Sequence, residues 1–253
     1  MKKTALLLAS TLMVLSAPAF AQEQTEIRIA TEGAYPPFNL VAPDGTLKGF
    51  DVDIAKALCE EMKAKCTIVA QDWDGIITGL QAKKYDAVVA SMTVTDERKK
   101  QVAFTDRYYS SRLSVAVPKD SALTSTEASA MDGKVVGAQS GTTQGYYTED
   151  TYAKAGADAK LYPTQDEANL DLKNGRLDAL VSDKFPMMDW LKADGADCCK
   201  LLGDIAGTES DTAIAVRLED NELRENFNKA IAAIRANGTY EKIMREYFSF
   251  DIY

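Results

Sequence analysis

The 253-residue chain contains no histidine. That removes Ser-His-Asp and Cys-His catalysis and His-ligated zinc, so any chemistry must come from carboxylates, Lys, Arg, Tyr, Ser/Thr or Cys. Arg98 offers a fork of parallel donors suited to a carboxylate. It also stands in a charge run with Lys99 and Lys100, where a solvated helical arginine would do. Ser140-Gly141-Thr142-Thr143-Gln144 reads as a loop entering a helix, where unpaired N–H groups and a positive dipole end attract an anion, or where Thr142 simply caps the helix. Asp183 is an acid that needs a partner if buried, or a cap for a helix before Phe185. Tyr35 and Trp73 present aromatic faces that accept methylenes and a cation, or fill a core.

These groups must be held by something, and the periodicity says what. Short apolar strands at Ile27–Ala30, Thr67–Ala70, Ala87–Ala90, Lys134–Ala138, Asp178–Val181 and Ala213–Val216 alternate with amphipathic helices, the pattern of an α/β fold. Ile54, Leu58 and Met62 recur every four residues, as do Phe227, Ile231 and their neighbours Leu223, Ala230 and Ile234. A final helix opens after Asn237-Gly238, with Tyr240, Ile243, Met244 and Tyr247 as its apolar stripe. Lys84–Ser91 and Arg176–Asp183 are a weak internal repeat, each with an Asp, an apolar strand and a small or polar residue at the strand's carboxyl end. In open α/β sheets ligands sit beyond that end. Two such halves facing one another make a cleft. Extended crossings near Ser110–Val117 and Glu209–Val216 would form a two-strand hinge.

The composition, 46% hydrophobic and 26% charged, is that of a globular chain. With 29 Lys plus Arg against 38 Asp plus Glu the net charge is −9, and no basic run offers a surface for nucleic acid. Lys2 and Lys3, an apolar run from Ala5 to Leu15, and Ala19-Phe20-Ala21 read as a signal peptide over residues 1–21, the alternative being an N-terminal anchor. Export implies an oxidising compartment. Cys59, Cys66, Cys198 and Cys199 allow three full pairings. A Cys59–Cys66 bridge requires the helix that starts near Asp51 to end near Lys63 and the chain to turn back, since seven helical residues span about 10 Å. Cys198 and Cys199 read either as two thiols or as one ring.

Thr31-Glu32-Gly33-Ala34-Tyr35-Pro36-Pro37-Phe38, Gly49-Phe50-Asp51-Val52-Asp53, Asp72-Trp73-Asp74 and Ala90-Ser91-Met92-Thr93-Val94-Thr95-Asp96-Glu97-Arg98 occur in succession. Together they resemble the periplasmic solute-binding proteins for polar amino acids, bacterial extracellular solute-binding protein family 3, nearest the lysine/arginine/ornithine-, histidine- and opine-binding groups. The resemblance spans the mature chain. It implies a type II periplasmic-binding-protein fold: lobe one from residues 22–112 and 213–253, lobe two from 113–212, and a ligand cleft between them. It implies a Cys59–Cys66 disulfide, no cofactor or metal, and no catalysis. Arg98 and Thr143, beside Thr142, match the positions that take the ligand carboxylate. Asp183, with Ser91 and Thr93, matches the ammonium cage, Met92 between them is counted with the ligand-binding residues, and Tyr35 and Trp73 match the aromatic sandwich. Glu32 matches the acid that reads a distal positive charge. Gln139 stands where the lysine/arginine group carries an apolar residue. The implied function is the periplasmic, monomeric binding component of an ABC importer for arginine, lysine, ornithine or histidine, partnered by a membrane permease. An opine binder is the alternative, and an exported prephenate/arogenate (cyclohexadienyl) dehydratase on the same scaffold a more distant one.

Overall fold

A computed structural model describes residues 25–253; the expected signal peptide lies outside them. The chain runs β1 (Glu26–Thr31), a ribbon of β2 (Ala34–Tyr35), β3 (Asn39–Val41) and β4 (Leu47–Lys48), then α1 (Phe50–Glu61), β5 (Lys65–Ala70), α2 (Ile76–Gln81), β6 (Ala87–Val88), α3 (Asp96–Lys99) and β7 (Ala103–Ser111). It continues through β8 (Leu113–Pro118), β9 (Val135–Gln139), α4 (Thr143–Tyr147), β10 (Asp158–Tyr162), α5 (Gln165–Lys173), β11 (Ala179–Asp183), α6 (Lys184–Lys192) and β12 (Cys199–Asp204). It ends with β13 (Ser210–Val216), α7 (Asn221–Ala236) and α8 (Thr239–Tyr247).

Two five-stranded sheets result, ordered β5-β1-β6-β13-β7 and β10-β9-β11-β8-β12. They share one plan. In the first, β1 pairs parallel with β5 and β6, and β13 returns antiparallel. In the second, β9 pairs parallel with β10 and β11, and β8 is antiparallel. The internal repeat maps onto the two central strands, and its aspartates do the same work. Asp86 accepts from Arg28 N–H at 3.0 Å while its own N–H donates to Arg28 O at 2.8 Å. Asp178 does likewise with Val135, at 2.8 Å both ways. Each Asp thus pins the start of a central strand to its parallel neighbour, and Ser91 and Asp183 emerge near the far ends.

Apolar side chains cover both faces of each sheet, as buried mixed sheets require. Ile54, Leu58, Phe227, Ile231 and Tyr240 from α1, α7 and α8 close one face of the first sheet; Ile76, Leu80, Met92 and Val102 close the other. The carboxyl-terminal helices therefore pack on the first sheet. The start of α1 depends on Gly49, whose φ is 118°; a Cβ there would stand 2.3 Å from Phe38 O, which only glycine avoids.

The lobes are joined by two crossings narrower than the periodicity suggested. The first is Arg112, between β7 and β8. The second is Ile205–Glu209, since Ser210 already pairs with Ser111 in the first sheet. The second crossing is tied to the first residue of β8, next to Arg112: Ile205 N–H donates to Leu113 O at 2.8 Å, and Leu113 N–H to Thr208 Oγ1 at 3.0 Å.

Lys63 adopts a left-handed φ of 53°, the chain reverses, and Cys59 and Cys66 are bonded with their Cα atoms 6.1 Å apart. Cys198 and Cys199 are also joined, so neither is a thiol. The Cys59–Cys66 loop is short, and opening it with Cys59→Ser plus Cys66→Ser is expected to cost roughly 2–3 kcal/mol. A guanidinium unfolding midpoint checks this. Ligand affinity should hold within about twofold, because Cys66 lies at the end of β5 opposite the cleft.

Candidate functional site

One cleft between the lobes is lined by Glu32, Tyr35, Trp73, Ser91, Thr93, Arg98, Gln139, Thr142, Thr143 and Asp183, together with Ala90 and Gln144. Ten of the eleven residues expected from the sequence meet there. Met92 does not: its side chain is 0% exposed and packs with Ile76, Leu80 and Val102. The Met92 side chain joins the apolar layer on one face of the first sheet, while Ser91 and Thr93 on either side of it line the cleft. Gln144 was missed. It sits in the first turn of α4, next to Thr143, and that position beside a cleft-facing helix start was the available signal.

Local structure explains how each group arrives. Thr95 caps α3 by accepting from Arg98 N–H at 3.1 Å, which fixes the short helix that turns Arg98 inward. Thr142 caps α4 through Gly145 N–H at 3.0 Å and also lines the cleft, so cap and cleft wall coexist in one residue. Asp183 occupies the cap position of α6 but makes no side-chain cap. Instead its Oδ2 accepts from Tyr35 OH at 2.7 Å, across the cleft.

Arg98 is 7% exposed. Its Nη1 donates to Thr93 O at 2.8 Å and its Nη2 to Gly141 O at 3.3 Å, and its guanidinium lies 5.1 Å from the Trp73 ring centroid. Its hydrogen-bond partners are thus neutral. Burial pulls its pKa down to about 10, opposed by the Tyr146 and Asp183 charges. Asp183 is pushed up to about 6 by burial, opposed by the Tyr35 hydrogen bond and by Arg98. Glu32, 7% exposed, is pushed up to about 7, first by burial; the Gln139 amide opposes this, and the nearby Asp166, Asp72 and Asp74 charges add to it. A buried charge without a counter-charge in contact is costly, and an incoming group of opposite sign relieves it.

The lobes are closed on each other. Gln139 Nε2 donates to Glu32 Oε1 at 2.6 Å, Trp73 Nε1 to Gly141 O at 3.1 Å, and Gln144 Nε2 to Tyr35 OH at 3.3 Å. The space left inside is about 10 Å³, on the order of one water. Entry of anything larger requires these cross-cleft bonds to part. Among the described residues no group of three or more Cys, Asp or Glu is placed to hold a metal ion.

Two α/β lobes, two crossings and a polar cleft between them define the two-lobe binding proteins that enclose a small ligand. Residues 27–250 match the model of the bacterial extracellular solute-binding proteins, family 3. The chain is 45% identical to the L-arginine-binding protein of Pseudomonas aeruginosa, over 100% of this chain and 99% of that one. It is 40% identical to the histidine-binding periplasmic protein of Salmonella typhimurium, at the same coverage. Its fold superposes with a TM-score of 0.84 on an ancestral arginine-binding protein bound to arginine, at 35% identity, covering 89% of this chain and 99% of that one. The chain belongs to the bacterial extracellular solute-binding proteins, family 3.

Proposed function

We propose that the protein is the periplasmic binding component of an ABC importer for a cationic amino acid, closing on it as a monomer and passing it to a membrane permease. The lobes proposed are residues 22–112 with 213–253, and 113–212; the pairing of Ser210 with Ser111 favours a return to lobe one a few residues earlier. The observation that carries the reading is the set of buried charges in one cleft: Arg98 held only by neutral partners, and Glu32 and Asp183 likewise. A zwitterion with a cationic tail complements all three. Arg98, with Thr142 and Thr143 at the start of α4, takes the α-carboxylate. Asp183 takes the α-ammonium, with the Ser91 carbonyl and Thr93 hydroxyl completing its shell. Tyr35 and Trp73 flank the stem, and Glu32, braced by Gln139, takes the distal cation. Ligand contacts both lobes, so it binds the closed form more tightly and shifts the population toward closure. Similarity to the arginine- and histidine-binding relatives supports a basic amino acid.

A thermal-shift panel tests this. Arginine, lysine, ornithine or histidine should raise the melting temperature by roughly 5–10 °C at a hundredfold excess over Kd, with little effect from glutamine. A larger shift with octopine or nopaline moves the assignment to opines, and no shift with any of them removes it. One observation favours a second reading. A Glu32 pKa near 7 suits proton transfer, so turnover of prephenate or arogenate would make the protein a dehydratase.

The same panel run across pH has a defined sign. Folded Glu32, Asp183 and Asp51 titrate at about 7, 6 and 6, above the ordinary carboxylate range. Between pH 5 and 7.5 the folded chain therefore holds more protons than the unfolded one, and ligand-free stability should fall as pH rises through this window. A bound cation favours ionised Glu32, so arginine affinity should rise over the same interval. Calorimetry from pH 5 to 8 checks both slopes.

A further inference from the structure

Gly49-Phe50-Asp51 is one of the sequence signatures, yet Asp51 lies outside the cleft. It is 0% exposed, and its hydrogen-bond partners are three neutral donors: Asn39 Nδ2 at 2.8 Å and Ser91 Oγ at 2.9 Å on Oδ2, and Tyr108 OH at 2.7 Å on Oδ1. Each donor leads back to the cleft. Ser91 lines it, with a φ of 51°, a left-handed conformation that a serine keeps only where its surroundings over-determine it. The Tyr108 oxygen that donates to Asp51 also accepts Ser91 N–H, at 3.1 Å. Hydroxyl and amide of Ser91 are thus fixed by one unit. On the other side, Asn39 Oδ1 accepts Gly33 N–H at 2.7 Å, directly beside Glu32.

We infer that Asp51 is the positioning residue of the cleft, holding the Ser91 wall through Ser91 Oγ and Tyr108, and the Glu32–Gly33 loop through Asn39. What Ser91 and Glu32 contact in the ligand rests on the proposed function; the positioning itself does not. The Ser91 hydroxyl is committed to Asp51, and the Ser91 carbonyl that the proposed function assigns to the ammonium belongs to the same fixed backbone. An ionised acid fits this hub better than an amide, because all three partners donate and a carboxylate carries acceptors only. Burial raises Asp51 to about 6 and the three donors oppose it, so it is ionised at neutral pH.

The test uses the full mature chain with Asp51→Asn, Tyr108→Phe and the double variant, and measures affinity for arginine and for citrulline, its neutral-tail isostere. Asp51→Asn should weaken both ligands about tenfold or more, and nearly equally, because the ammonium wall is common to them. Tyr108→Phe should weaken both roughly threefold to tenfold. The double variant should lose less than the product of the two, since both act through Ser91. A crystal structure of Asp51→Asn should show Ser91 outside the left-handed region. Affinity within about twofold of the parent, multiplicative losses, or Ser91 retaining its φ in Asp51→Asn would each overturn the assignment. Tyr108→Phe keeps its ring in the core and decides the matter if Asp51→Asn does not fold. If the parent chain binds neither ligand, the proposed function has failed, and the Ser91 conformation in the variant crystal still judges the positioning role.

Discussion

Arg98→Ala is expected to abolish binding of every amino acid, cationic or neutral. The guanidinium is the cation facing the cleft at the place proposed for the ligand carboxylate, and every amino acid carries that group. Removing one partner of a buried charged contact costs about 3–5 kcal/mol, roughly 10²–10⁴-fold in affinity. The loss should lie at the high end because Asp183 remains, and an unneutralised carboxylate would sit in a dehydrated cleft with it. Arg98→Lys should recover only part. An ammonium keeps the charge but cannot hold the Thr93 and Gly141 carbonyls, stack on Trp73 and bind a carboxylate through a planar fork together. Ligand-free stability is the control. Arg98 is buried at a desolvation cost with no carboxylate bonded to it, so its removal should change the unfolding free energy by no more than about 1 kcal/mol. Titration calorimetry with arginine and citrulline, beside a denaturant curve, separates the two effects. Arginine bound by Arg98→Ala within tenfold of the parent would contradict the assignment.

The second large effect is selective. Glu32→Gln keeps the shape of the side chain and leaves Gln139 a partner, but removes the charge that meets a distal cation. Arginine should weaken about 10²-fold, whereas citrulline should change by no more than about threefold, because a neutral tail loses only one hydrogen bond for another. The rise of arginine affinity between pH 5 and 7.5 should flatten in this variant, since Glu32 is the group pushed highest. The measurement is the arginine/citrulline affinity ratio at two pH values. Equal losses for both ligands would place the tail elsewhere.

Much of this was legible along the chain, for local reasons. All six strands expected from apolar runs contain ladder residues in the structure; in five of them burial within a sheet demands a continuous apolar segment, while β5 is a largely exposed edge strand. The repeat of Asp86 and Asp178 was legible because each aspartate ties one strand to the next by the same pair of bonds. The β2–β4 ribbon was not legible: its strands are two or three residues long, too short to show a period. Met92 was misplaced because a motif shared along nine residues does not say which side chains face which way, and only the packed fold shows Met92 among Ile76, Leu80 and Val102.

Residue types alone excluded histidine chemistry, and supplied an arginine, several acids and two aromatics able to hold a charged zwitterion. Whether Asp183 caps a helix or faces a ligand was open in the sequence, because both need only an acid before Lys184 and Phe185. Tertiary structure left the cap unmade and turned the carboxylate into the cleft, where Tyr35, 148 residues away, donates to it at 2.7 Å. The same holds for Glu32 and Gln139, which are 107 residues apart, and for Asp51 and Ser91, 40 apart. Local propensity reaches a few residues along the chain. The pairing of buried polar groups is settled only when the lobes fold and meet, because only then does water leave and each group need a particular neighbour.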